Sequence, residues 1–106
     1  MPLPDFLIDR YKQWSTNSSK KEKKLYEDLG KNGQKPRCMI ISCSDSRIVP
    51  EFIFKSTIGE FFTHRNIANL VPGPNKTNDN HATIAAIEYA VKSLRIPNIL
   101  VLGHSN

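Results

Sequence analysis

Three apolar stretches punctuate this chain after its first third, and each runs into residues with chemistry. Met39-Ile40-Ile41 leads to Cys43, Phe61-Phe62 leads to His64, and Ile99-Leu100-Val101-Leu102 leads to His104. Short apolar runs without alternation read as strands buried on both faces. The expected strands are residues 37–42, 60–64 and 98–102, the first introduced by Pro36 and the second by Gly59. Between the first two strands, Ile48, Glu51, Phe52 and Lys55 fall at helical spacing. Ser46 is placed to cap that helix, with Pro50 and Glu51 in its first turn. Between the second and third strands, residues 66–80 read as a long loop rich in Asn, Pro and Gly. Asp79 or Asn80 then caps a helix over 81–95, with Ile84, Ala85, Ile87, Ala90, Val91 and Leu94 apolar and Pro97 at its end.

The first third follows a different pattern. Phe6, Leu7, Tyr11 and Trp14 lie on one helical face after Pro4-Asp5. Asn17-Ser18-Ser19 breaks that helix and offers an N-cap to the next, whose apolar side holds Leu25, Tyr26 and Leu29. Gly30 and Gly33 end it. The order is therefore two helices followed by β-α-β-α-β. This predicts an α/β fold: a parallel β-sheet with helices on both faces, strand order 2-1-3, preceded by N-terminal helices. A chain of 106 residues suits one domain, here residues 1–106 with 1–35 as a helical arm.

In an open α/β sheet, ligands bind beyond the carboxyl ends of the strands, where the strand order reverses. Cys43 follows the first strand and His104 the third. Neighbouring strands lie about 4.8 Å apart, a spacing that lets a thiol and an imidazole converge on one ion. Both are ordinary zinc ligands. Asp45 lies two residues past Cys43, placed to ligate the same ion or accept a hydrogen bond from its water. Arg47 is its natural fork-to-fork partner and would keep it charged and aimed. Zinc lowers the pKa of a bound water to about 7, giving a hydroxide nucleophile at neutral pH. The competing reading of the bare residues is a buried Cys and a surface His at two strand ends.

Other chemistries fail on spacing. A phosphatase-type loop needs Cys and Arg six positions apart, and here they are four apart. Gly-x-Gly-x-x-Gly, a phosphate-binding Gly-x-x-x-x-Gly-Lys loop and Cys-x-x-Cys are all missing from the sequence. Charge adds little. The net charge of +5 gathers partly in Lys20, Lys21, Lys23 and Lys24, but Glu22, Glu27 and Asp28 interrupt or follow that run. No aromatic residues interleave it to stack bases, so it reads as a solvated helix start and no nucleic-acid partner is expected. There is no apolar run of membrane-spanning length and no signal-peptide pattern at Met1-Pro2-Leu3-Pro4-Asp5. Cys38 and Cys43 on one strand point to opposite faces, so a disulfide between them is not expected, and Cys38 reads as a small core residue. A cytoplasmic protein with reduced thiols is the expectation.

Four blocks then resemble those of the β-class carbonic anhydrases, in order and spacing. They are residues 41–51 (Ile-Ser-Cys-Ser-Asp-Ser-Arg-Ile-Val-Pro-Glu), 62–69 (Phe-Thr-His-Arg-Asn-Ile-Ala-Asn), 84–91 (Ile-Ala-Ala-Ile-Glu-Tyr-Ala-Val) and 103–106 (Gly-His-Ser-Asn). The resemblance runs from about Gly33 to the last residue. It implies a Zn2+ enzyme, a carbonate dehydratase (lyase), that interconverts CO2 and bicarbonate as a homo-oligomer, dimer or tetramer. It implies Cys43 and His104 as metal ligands, and Asp45 and Arg47 as a catalytic dyad. Asp45 would orient the attacking hydroxide or, when Arg47 releases it, occupy a metal position itself. The family pattern continues to a second Cys ligand one residue beyond Asn106, so the chain reads as the N-terminal part of the enzyme. Two alternatives stay open: a related CS2 or COS hydrolase, and a non-catalytic truncated module that binds zinc or dimerises. Arg65, His64 and His81 read as structural, although either histidine has the chemistry to shuttle protons. A second, non-catalytic bicarbonate pocket known in some members is not expected, since Ile40 stands where its Trp would be.

Overall fold

The computed structural model describes residues 2–73 and 81–106. The chain divides into two compact units, residues 1–33 and 34–106.

The first unit is a helix pair, α1 (Asp5–Asn17) and α2 (Lys20–Asn32). Ser19 caps α2 as its sequence position predicts, its hydroxyl accepting the Glu22 amide at 3.1 Å. Glu22 also accepts from the Trp14 indole at 3.3 Å, and the Trp14 ring meets Tyr26 edge-on with centroids 5.7 Å apart. Gly30 does not end α2. The helix runs through it to Asn32, and Gly33, at φ 80°, makes the exit. Of these two glycines, Gly33 is the one at positive φ, where glycine is favoured over other residues.

The second unit is a three-stranded parallel sheet, β1 (Cys38–Cys43), β2 (Phe61–Asn66) and β3 (Ile99–Leu102), in the order β2-β1-β3. The expected strand order holds, with boundaries shifted by one or two residues. Side chains alternate across a strand, so Met39 and Ile41 face one way and Ile40 and Ser42 the other. On the first face Met39 and Ile41 form the core with Ala90 and Ile96, against Phe62, Ala86, Ile87 and Leu94. On the other, α3 (Pro50–Ile53) lies near β2, where Glu51 accepts the Thr63 hydroxyl at 3.1 Å.

Two expectations need correction here. The helix after β1 starts at Pro50 with Val49 at its N-cap position, not at Ser46. The helix over 81–95 is regular only through α4 (His81–Glu88). Tyr89–Ser93 widen into a π segment with Leu94 N–H bonded to the Tyr89 carbonyl, and Arg95, at φ 54°, turns the chain before Pro97. The proposed caps Asp79 and Asn80 lie outside the described residues. Cys38 is only partly buried, so it is not a core residue; both cysteines are free. No helix among the described residues is long and apolar enough to cross a membrane.

Candidate metal centre

Cys43 is the last residue of β1 and pairs in register with Asn66, the last of β2, while Ser42 pairs with Leu102, the last of β3. Because all three strands are parallel, their carboxyl ends coincide. His104, two residues past β3, is thereby brought beside Cys43. The nearby imidazole is the main reason the Cys43 thiol is lowered from 9.0 to about 7. The backbone amides of Asp45 and Ala68 add to this, each donating to Sγ at 3.4 Å. His104 is raised in turn, chiefly by that same sulfur. Its Nδ1 lies 3.1 Å from the Ser105 carbonyl. A carbonyl only accepts, so Nδ1 carries the proton there and Nε2 is the nitrogen with a free lone pair.

Asp45 and Arg47 form the expected pair. Nε donates to Oδ1 at 3.0 Å and Nη2 to Oδ2 at 2.8 Å, a bidentate arrangement. The Arg47 backbone N–H also donates to Oδ1 at 2.9 Å. These bonds hold the Asp45 carboxyl well below the usual carboxylate range. Arg47 donates as well to the Asn106 carbonyl, which ties the segment after β1 to the segment after β3.

The donor chemistry suits a thiolate- and imidazole-binding metal. Two of the three proposed ligands, Cys43 and His104, converge. Asp45 is two residues from the thiol, but both its oxygens are taken by Arg47. No group of three His, Cys, Asp or Glu side chains placed to hold a metal occurs among the described residues. The residues present therefore fit part of a ligand set, since catalytic zinc sites use three protein ligands.

Two contributors were not evident from residue patterns. Arg65 donates from Nε to the Cys43 carbonyl at 2.8 Å, and from Nη2 to the carbonyls of Asp45 and Ile48 at 2.6 and 2.5 Å. The signal for it was an arginine at the end of a strand whose register partner adjoins Cys43. The second is a polar cluster under the turn after β2. Thr83 is 1% exposed, and its Oγ1 lies 2.9 Å from His64 Nε2 and accepts from Asn66 Nδ2 at 3.2 Å. The Asn66 amide then brackets Leu70, donating to its carbonyl and accepting its N–H, both at 2.8 Å. Between them the 3-10 turn Ile67–Asn69 carries Ala68 at φ 65°, which aims its N–H at Cys43.

The carbonic anhydrase family profile matches residues 38–106, the segment that contains this whole arrangement. The fold superposes on the solved structure of the β-carbonic anhydrase CcaA with a TM-score of 0.87 and 36% identity, covering 96% of this chain and 44% of that one. The chain belongs to the β-carbonic anhydrase family. Among curated relatives, β carbonic anhydrase 3 of Arabidopsis thaliana is 42% identical over 92 residues, 87% of this chain and 35% of that protein. A carbonic anhydrase of Helicobacter pylori is 37% identical over 94 residues, 89% of this chain and 42% of that protein. One of two tetrameric β-carbonic anhydrases from Sordaria macrospora matches with a TM-score of 0.79 and 35% identity, over 95% of this chain and 48% of that one. The chain thus spans less than half the length of each of these β-carbonic anhydrases. None of those named is a CS2 or COS hydrolase, and that alternative is not favoured.

Proposed function

We propose that the whole protein is a zinc-dependent enzyme that interconverts carbon dioxide and bicarbonate. The observation that carries this is the meeting of Cys43 and His104 at coincident strand ends, with an ionised Asp45–Arg47 pair two residues on. Family membership supports the same reading.

Cys43 and His104 Nε2 would hold the metal. Zinc supplies the Lewis acidity that makes water a nucleophile near neutral pH. The chain's own groups do the rest of what is visible. Two N–H donors steady the Cys43 sulfur as an anion, and the Ser105 carbonyl fixes the His104 tautomer. Asp45 stays ionised under Arg47, so it accepts a hydrogen bond and cannot donate one. Such a carboxylate orients the hydrogen of an attacking hydroxyl. Release of Arg47 would free the same carboxylate as a metal donor. On the turn beside the thiol, Ile67, Leu70 and Val71 are exposed, an apolar rim suited to a substrate with no net dipole.

Assembly as a homodimer or homotetramer is part of the proposal, supported by the tetrameric Sordaria relatives. A cytoplasmic setting is supported by two free thiols. The deciding experiment is stopped-flow CO2 hydration with metal analysis on the full-length protein and its Cys43→Ser variant. One zinc per chain and fast hydration, both lost in the variant, are expected. A full-length protein that carries zinc but does not accelerate hydration would overturn the reading.

A further inference from the structure

The segment from Cys43, the last residue of β1, to α3 carries every proposed site residue except His104, yet few bonds tie it to the sheet. Its internal bonds join near neighbours: the Asp45 N–H donates to the Cys43 sulfur, the Arg47 N–H and guanidinium to the Asp45 carboxylate, and the Ile48 N–H to the Asp45 carbonyl. These shape a turn without fixing where it sits. Anchorage to β2 comes from two adjacent residues. The Ser44 N–H donates to the Asn66 carbonyl at 2.7 Å, and Arg65 takes the carbonyls of Cys43, Asp45 and Ile48. The peptide joining Cys43 to Ser44 is therefore held from both edges, its C=O by Arg65 and its N–H by Asn66. Removal of Arg65 leaves one of those four bonds.

We propose that Arg65 is a positioning residue for the metal site: its guanidinium fixes the 43–48 backbone and with it the spacing between the Cys43 thiol and the Asp45 carboxylate. Two features point past a generic structural arginine. Among the described residues Arg65 has no carboxylate partner, so its charge is met by carbonyl dipoles of this one loop. And the carbonyls it gathers span six residues, which the planar fork can bridge and an ammonium on a flexible stem cannot hold in one geometry. Pinning the Asp45 carbonyl also restricts any exchange of the Asp45 carboxylate between Arg47 and the metal to side-chain rotation. This last point rests on the proposed zinc chemistry; the clamp itself does not.

The test uses the full-length protein with Arg65→Lys and Arg65→Gln. Amide hydrogen exchange reads the clamp without metal: the loop amides of Ser44, Arg47 and Ile48 should exchange at least about tenfold faster, while Met39, Ile40 and Ile41 keep their protection. Zinc affinity, measured by chelator competition, should fall about 10- to 100-fold in both variants, the usual effect of removing a group that orients a ligand. The loss of activity should appear in kcat with KM little changed. Unchanged loop exchange would overturn the proposal. So would full recovery by lysine, or equal loss of protection in loop and strands in both variants, which would make Arg65 a residue of the fold alone. If the wild-type protein binds no zinc, the proposed function fails, and the exchange measurement still decides the clamp.

Discussion

Replacing His104 by alanine should change the pH at which Cys43 becomes reactive, and the structure sets both sign and scale. The imidazole is the main stabiliser of the thiolate, and with it the thiol sits near 7 in place of 9.0. At pH 7 a thiol of pKa about 7 is about half ionised, against about 1% for one at 9, a difference of about fiftyfold in thiolate. Reactivity does not rise as far, because a less basic thiolate is a weaker nucleophile. With a Brønsted slope of about 0.4–0.5, two pKa units weaken it by about six- to tenfold. At most about a five- to eightfold advantage is left to the wild type at neutrality, and at high pH the order inverts. The Asp45 and Ala68 amides remain in the variant, so its midpoint should lie between the two limits. The assay is the rate of iodoacetamide alkylation of Cys43 in a Cys38→Ser background, with metal chelated, from about pH 5 to about pH 10. The midpoint is diagnostic, and the rate at one pH is not. A wild-type midpoint at the ordinary thiol value, unmoved by His104→Ala, would refute the idea that β1 and β3 bring these two side chains together.

Other outcomes follow from single contacts. Thr83→Val leaves Asn66 with its Leu70 bonds but strips His64 Nε2 of its hydroxyl partner; denaturant unfolding should show a loss of about 1–3 kcal/mol, and a change too small to measure would mean that nothing is orphaned. Ile41→Ala empties a site 1% exposed among Met39, Ala90 and Ile96, and the same measurement should give about 2–5 kcal/mol. Asp45→Asn removes the charge from a carboxyl that accepts three bonds from Arg47. CO2 hydration by the full-length variant should fall about tenfold or more with zinc content kept, and activity near the wild-type level would contradict the role given to Asp45.

The sheet was legible because its signal is coarse. Three apolar runs separated by helical spacing admit few parallel arrangements, and placing Cys43 and His104 at strand ends needs no side-chain detail. Ser46 misled for a physical reason. A helix capped at Ser46 needs a bond from the residue 50 N–H to the Ser46 carbonyl, which Pro50 cannot give, and the next acceptor but one, the Ile48 carbonyl, is taken by Arg65, so the helix starts at Pro50. A local pattern cannot report a competitor that arrives from seventeen or more residues away. The π segment was hidden differently: its apolar positions satisfy the helical template, and the widening shows in backbone bonding such as that from the Leu94 N–H to the Tyr89 carbonyl. Gly30 and Gly33 look alike in sequence, and only backbone conformation separates the one inside α2 from the one that ends it.

Ala68 carries a consequence for anyone engineering this protein. A non-glycine residue held at φ 65° is under backbone strain of about 1–2 kcal/mol. Glycine would relieve that strain and would be an obvious choice for raising thermal tolerance. Yet the strained conformation is what points the Ala68 N–H at the Cys43 sulfur, and a glycine is free to leave it. Here robustness and reactivity draw on the same torsion angle, so a screen for heat resistance alone would select against the thiol's environment.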